Sequence, residues 1–160
     1  MLAAVNGVAA GAGFSLALAT DMRIAAESAT FVQAFVRIGL IPDAGSTFFL
    51  PRLVGPALAA ELTMLGEAID AQRALSIGLV NRVVPDAELQ SAAFELAARL
   101  ARGPRSIALI KRALNRSPQN DLQAQLDLEA QLQAESVGSA DFMEGVSAFL
   151  EKRAASFSGR

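Results

Sequence analysis

The residues of this sequence best suited to chemistry are the glycine loop Gly11-Ala12-Gly13 and the carboxylate of Asp43. The chain has no His and no Cys, which excludes Ser-His and Cys-His dyads, thiolate chemistry, disulfides and the usual zinc sites. Acid–base work therefore falls to Asp, Glu, Lys or backbone dipoles. Gly11-Ala12-Gly13 stands where a strand-like run gives way to an Ala- and Leu-rich helical run, so the Ala12 and Gly13 amides are expected free at the positive end of a helix dipole. Such amides can hold an anion. A dinucleotide fingerprint would need a glycine where Leu16 stands, and no Lys-Ser/Thr pair follows as in a phosphate loop, so nucleotide binding is disfavoured. The same glycines also suit plain close packing of helix on strand, and local pattern leaves both readings open.

Asp43 follows Ile38-Gly39-Leu40-Ile41-Pro42 and shortly precedes Phe48-Phe49, a lone carboxylate among apolar and aromatic neighbours. Low local polarity disfavours an ionised carboxylate and favours a general base; the alternative is an N-cap for a short helix over Ala44 to Leu50. Phe35, Phe48 and Phe49 either line a pocket or are plain core. Near the end of the chain, Phe149 and Lys152 are spaced to share a helix face, and Lys152-Arg153 alone reads as a basic helix terminus. Asp127, Glu129 and Glu135 read as solvated helix residues.

These groups need elements to hold them. Leu2 to Val5 reads as a buried strand ended by Asn6-Gly7, Ala12 to Ala19 as a buried helix starting at the glycines, and Met22 to Ala26 as a second strand, an α/β order. Phe35 to Ile41 reads as extended. Pro56 opens a helix that Gly66 ends, Asp70 caps a helix over Ala71 to Ser76, and Leu79 to Val84 reads as a strand. After Pro85 the periodicity is helical throughout: Asp86 to Ala101, Pro104 to about Leu114, Pro118 to about Ser136, and a helix capped by Ser139 that runs to about Arg153. The layout is an α/β part over residues 1–84 followed by an all-helical part over residues 85–160.

Composition limits the function classes. The 160 residues are 52% hydrophobic with a mean hydropathy of +0.37, ample for a packed core and against overall disorder. The net charge of −2 is spread without a basic block, and Trp and Tyr are absent, so no nucleic-acid partner is expected. The N-terminus lacks a basic signal region, and the apolar stretch Val8 to Ala19 is too short for a bilayer span; the expectation is a cytoplasmic protein with no membrane partner.

Taken together, Ala3-Ala4-Val5-Asn6-Gly7-Val8-Ala9-Ala10-Gly11-Ala12-Gly13, Asp21-Met22-Arg23-Ile24-Ala25, Gly39-Leu40-Ile41-Pro42-Asp43 and Leu50-Pro51-Arg52 resemble the crotonase (enoyl-CoA hydratase/isomerase) superfamily. The likeness continues through Ala74-Leu75-Ser76-Ile77-Gly78-Leu79-Val80 and Glu144-Gly145-Val146-Ser147-Ala148-Phe149-Leu150-Glu151-Lys152-Arg153, so it covers essentially the whole chain. Within the superfamily it is nearest to the isomerases of phenylacetate catabolism that turn a ring-epoxide acyl-CoA into an oxepin-CoA, a likeness carried by Gly11-Ala12-Gly13, Phe31-Val32-Gln33-Ala34-Phe35, Ile41-Pro42-Asp43 and Gln125-Leu126-Asp127-Leu128-Glu129.

That resemblance implies a ClpP/crotonase-like α/β fold, here truncated at the N-terminus, with a C-terminal helical region that forms trimers or dimers of trimers. It implies an acyl-CoA thioester substrate, with CoA as part of the substrate and no cofactor or metal. Ala12 takes the place of one oxyanion-hole donor, between Gly11 and Gly13. The two glutamates that hydratases use to activate water fall at Ser15 and Phe35, neither acidic, while Asp43 falls where several isomerases of the superfamily place their carboxylate. Phe35 and Phe48 are expected around the acyl group, and Phe149 and Lys152 over the adenine and phosphates of CoA. The leading expectation is an acyl-CoA isomerase working through a thioester enolate. The alternatives are an enoyl-CoA hydratase and a catalytically incomplete chain acting only in assembly or acyl-CoA binding, and the isolated chain is expected to dissolve poorly because its apolar edges are uncovered.

Overall fold

A computed structural model describes every residue from Met1 to Arg160. The chain forms two compact units, residues 1–97 and 98–160.

The first unit is built from consecutive strands that pass from one small sheet into another. β1 (Leu2–Val5) leads through Asn6-Gly7 into β2 (Val8–Ala10), then come α1 (Ala12–Leu18), β3 (Met22–Ala26) and β4 (Thr30–Val32). β1 and β3 pair in parallel, Leu2 opposite Met22 and Val5 opposite Ala25, and β2 and β4 repeat that pairing in the second sheet, Val8 opposite Thr30. The rest of the unit is α2 (Ser46–Val54), α3 (Pro56–Leu65), β5 (Ile69–Asp70), α4 (Ala71–Ser76), β6 (Arg82–Val84) and most of α5 (Leu89–Ala101). β6 adds to β3 in parallel and β5 to β4 antiparallel, so the sheets run β1-β3-β6 and β2-β4-β5. β1 and β2 are edge strands in this chain, and Val8, Ile38 and Ile41 are each more than 70% exposed, the uncovered apolar surface that the sequence predicts.

The core lies under α1. Its buried residues Phe14, Ser15, Ala17 and Leu18 follow helical spacing, while Ala12, Gly13 and Leu16 face solvent. Phe14 meets Phe31 of β4 with ring centroids 5.5 Å apart, and Leu50, Leu62 and Leu79 complete the cluster. Burying one such Phe or Leu contributes about 1.5–3 kcal/mol. Ile24 and Ala26 bury their other face against Leu89, with Leu96 beside it, so α5 packs within the first unit.

Several local signals act as expected. Pro56 opens α3, Gly66 ends it in the left-handed conformation (φ 63°), and the Asp70 carboxylate accepts the Arg73 amide at 2.7 Å to cap α4. Several elements differ from the sequence-based expectation, among them α7, which starts at Leu122 behind an Asp121 cap and not at Pro118. The segment expected to be extended from Phe35 is a 3-10 turn over Ala34–Ile38, because the Gly39 and Leu40 amides find local acceptors in Val36 and Phe35 and no strand lies alongside. The expected strand from Leu79 shrinks to β6 because the Leu79 and Val80 amides both bond to the Ala74 carbonyl, closing the end of α4. Helix α2 starts two residues later than expected and continues through Pro51 to Val54, held by the fully buried Leu50. β4 is short and pairs only with distant segments, which gave no local signal.

The second unit contains α6 (Ser106–Arg116), α7 (Leu122–Val137) and α8 (Ala140–Leu150) around Leu109, Leu132 and Ala148. Ser139 caps α8 by accepting the Phe142 amide at 3.1 Å. The buried carboxylate of Asp141 accepts the backbone amides of Arg105, Ser158 and Gly159 at 2.7–3.0 Å and so ties the C-terminal segment to both helices. These amide donors, Ser158 first, hold Asp141 below the ordinary carboxylate range. Arg153 grips both oxygens of Glu144 at 2.6 and 2.9 Å and, aided by the Ser156 amide, lowers the Glu144 pKa from 4.5 to about 2. Since both folded-state pKa values are depressed, the stabilisation is complete above the unfolded values and is lost as pH falls through the folded ones. Thermal melts of the parent and of Glu144→Gln are therefore expected to differ above pH 4.5 and to converge as pH falls toward about 2. A difference that persists unchanged at pH 2 would contradict the ion pair as its source.

Candidate functional site

The glycine loop takes its shape from β4. Gly11 sits at φ 50°, ψ −121°, a conformation that a side chain disfavours; its amide donates to the Val32 carbonyl at 3.0 Å, and its own carbonyl accepts the Ser15 amide at 3.0 Å. Ala12 and Gly13 are the first residues of α1, exposed, and their amides have no acceptor within the helix. No carboxylate stands in the first turn of α1 to occupy them. The arrangement presents backbone N–H groups to solvent from a rigid turn, suited to an oxygen carrying negative charge.

Ser15 is fully buried, and its hydroxyl donates to the Gly11 carbonyl at 3.2 Å, so it is committed to the loop. Phe35, half-buried, lies against Gly11: a Cβ at position 11 would stand 3.6 Å from its Cζ. Phe35 therefore joins the 3-10 turn to the glycine loop. The two positions at which the resemblance places the hydratase glutamates thus hold a buried hydroxyl and an aromatic ring.

Asp43 is not the N-cap of α2, which corrects that alternative. Ala44 (φ 48°) and Gly45 (φ 82°) are both left-handed, so the chain makes a further turn before the helix begins at Ser46, with Gly45 at the cap position and no side-chain cap. Only the Asp43 backbone is used, its carbonyl accepting the Ser46 amide at 3.0 Å. The carboxylate is exposed, and so are Leu40, Ile41 and Phe48 around it. The apolar enclosure expected for Asp43 is not supplied by these residues. Phe48 meets Phe49 edge-on at 5.3 Å and carries the Arg52 guanidinium 3.7 Å over its ring, so Phe48 is a surface aromatic and Phe49 the partner packed on the core.

Of the three acidic residues between Met1 and Ala60, Asp21 binds the Met1 amine and Glu27 lies in the turn after β3, whose amide bonds to Val84. Asp43 is the one on the segment anchored at Gly11 by Phe35. No cluster of acidic side chains is placed to hold a metal ion.

Phe149 and Lys152 belong to the second unit. Phe149 is 82% exposed and lines a cavity of about 380 Å³ with Phe142, Val146 and Phe157. The shared helix face expected from their spacing is not formed: α8 stops at Leu150, and Lys152 follows in a left-handed turn (φ 55°) whose amide bonds back to the Phe149 carbonyl. The expected basic helix end is also divided, since Arg153 is engaged by Glu144 and Glu151 and Lys152 is left exposed. Glu135, expected to be solvated, pairs with Arg105 at 2.5 Å.

Sequence reasoning missed four buried polar groups: Arg23, Gln33, Ser46 and Asp141. Gln33 pairs with Ser46, Asp141 with Arg105, Ser158 and Gly159, and Arg23 with Leu79 as well as with the nearby Thr20, and the distant partners are not encoded in local pattern.

The family model for enoyl-CoA hydratase/isomerase matches residues 1–160. Among curated proteins the chain is 54% identical to the "Probable enoyl-CoA hydratase" of Rhodobacter capsulatus and 49% identical to the 1,2-epoxyphenylacetyl-CoA isomerase of Escherichia coli K12, covering 100% of this chain and 63% and 62% of those proteins. The crystal structure of enoyl-CoA hydratase from Bacillus anthracis superposes with a TM-score of 0.95 at 41% identity, over 99% of this chain and 62% of that one. The chain thus spans about 62–63% of the length of these relatives.

Proposed function

The chain belongs to the enoyl-CoA hydratase/isomerase family and has its crotonase fold, and we propose that the protein is an acyl-CoA isomerase rather than a hydratase. The two curated relatives carry names for different reactions, so support comes from the residues. The observation that carries the reading is that the glycine loop is flanked by Ser15 and Phe35, neither able to activate water, while Asp43 is left by its turn without a structural task.

In this reading the thioester carbonyl oxygen lies on the Ala12 amide, with Gly11 and Gly13 allowing its approach, and the amide stabilises the negative charge that develops on enolisation. Asp43 takes a proton from the acyl chain and returns it to another carbon, a transfer that needs no ordered water. The substrate is an unsaturated or ring-epoxide acyl-CoA, with Phe35 and Phe48 beside the acyl group. No cofactor or metal takes part. The exposed apolar side chains of the second unit, among them Leu114, Leu126 and Leu150, support its being covered in a homo-oligomer, a trimer or dimer of trimers. No helix is long and apolar enough to cross a membrane; a cytoplasmic location belongs to the same proposal.

The test is crotonyl-CoA in water. An isomerase lacking the two acids leaves the conjugated thioester unhydrated, whereas accumulation of a 3-hydroxyacyl-CoA, heavier by one water, would make the protein a hydratase. At the CoA end, Phe149 offers an apolar face for adenine and Lys152 a point charge for phosphate. Because Lys152 is exposed, Lys152→Ala is expected to raise KM about two- to five-fold, less at high salt, with kcat nearly unchanged. A collapsed kcat at constant KM would place Lys152 in the chemistry or the fold instead.

A further inference from the structure

The end of β4 touches both candidate groups. The Val32 carbonyl holds the Gly11 amide at 3.0 Å, and the next residue, Gln33, is 1% exposed and donates from Nε2 to the Ser46 hydroxyl at 2.5 Å. Ser46 is itself fully buried, and its amide donates to the Asp43 carbonyl. Two residues on from Gln33, Phe35 lies against Gly11. One short stretch of backbone thus sets the glycine loop and, through a buried side-chain pair, the turn that carries Asp43.

We propose that Gln33 is a positioning residue: through Ser46 it fixes the Asp43 turn relative to the Ala12 amide. This rests on the reading of Asp43 as the base. Stability alone does not account for the pair, because Gln33 Oε1 is buried without a hydrogen-bond partner, and an incompletely satisfied polar pair is inferior to two apolar side chains of similar shape. What the pair supplies is direction. Ala44 and Gly45 are both left-handed, and the Phe49 ring packs so closely on Gly45 that a Cβ there would stand 2.9 Å from Cε2. A turn of that kind persists only where its surroundings determine it, and Ser46 is its first buried residue.

The experiment compares the parent with the double variant Gln33→Leu/Ser46→Ala, which removes both polar partners together. The melting temperature is expected to move by no more than about 3 °C. Backbone NMR order parameters at Ala44 and Gly45 are expected to fall from about 0.85 to below about 0.6. Turnover is expected to fall about 10- to 100-fold at unchanged KM, and by less than about two-fold when Asp43→Asn is already present. An Ala44-Gly45 turn that stays rigid without the pair would overturn the proposal, as would parental turnover in the double variant. If Asp43→Asn itself leaves turnover unchanged, the base assignment fails, and the order parameters still decide whether Gln33 and Ser46 set the turn.

Discussion

Asp43→Asn is expected to lower kcat about 10²- to 10⁴-fold, the range that a positioned proton-transfer group contributes, with KM little altered. The substitution keeps the size and polarity of the side chain and removes its ability to take a proton. The structure makes this a clean test. The carboxylate caps no helix and forms no ion pair, and the turn around it is built from the backbones of Asp43 and Ser46 and the left-handed Ala44 and Gly45. Asn supplies the same backbone groups, so the melting temperature is expected to stay within about 2 °C of the parent. The Ala12 amide remains in the variant, so residual turnover above the uncatalysed rate is expected. Turnover within two-fold of the parent would remove Asp43 from the mechanism.

The largest expected loss of stability comes from Arg23, which has no role in the proposed chemistry. Its side chain is 4% exposed and acts as the cation that closes α1: Nη1 donates to the Thr20 carbonyl at 2.7 Å and approaches those of Leu18 and Ala17, and Nε donates to the Leu79 carbonyl at 2.7 Å. These include the last carbonyls of α1, at the negative end of its dipole, so the charge is matched to its place. Burial lowers the guanidinium pKa and the Asp21 carboxylate opposes that shift. Arg23→Met fills much of the same space and leaves the buried Leu79 carbonyl and the half-buried Thr20 carbonyl without their donor. Losing two charge-assisted bonds of this kind costs about 3 kcal/mol or more, a fall of roughly 6–12 °C in Tm for a chain of this size. The exposed Arg52, over the Phe48 ring, is the control: Arg52→Met is expected to cost about 0.5–1 kcal/mol. Thermal melts of the two variants check this, and an Arg23→Met melt matching that of Arg52→Met would contradict it.

The contrast between these arginines shows what the sequence could and could not reveal. Boundaries set by local chemistry were legible: the glycines before α1, Pro56 and Gly66 around α3, and the Asp70 and Ser139 caps each act on backbone groups a few residues away. The position of the glycine loop at the start of a helix was legible as well, from glycines that precede an Ala- and Leu-rich run. Features that depend on distant partners were not. Arg23 reads as one charge in a strand until Leu79 is folded beside it, and Gln33 reads as a polar residue in an apolar run until Ser46 is. The Asp43 cap failed for a related reason: nothing in Pro42-Asp43-Ala44-Gly45 states that Ala44 adopts a positive φ, which displaces the helix start to Ser46. Lys152 likewise left its expected helix face because α8 ends at Leu150.

The most direct test of the central claim, isomerisation without water addition, is the mass of the product formed from an unsaturated acyl-CoA and from a ring-epoxide acyl-CoA. Isomerisation moves a proton within the substrate and leaves its mass unchanged, and in deuterated water the proton that Asp43 exchanges before returning it adds deuterium to the product. The predicted result is an isomer of unchanged mass in ordinary water, carrying deuterium when formed in deuterated water. A product heavier by one water would contradict the account.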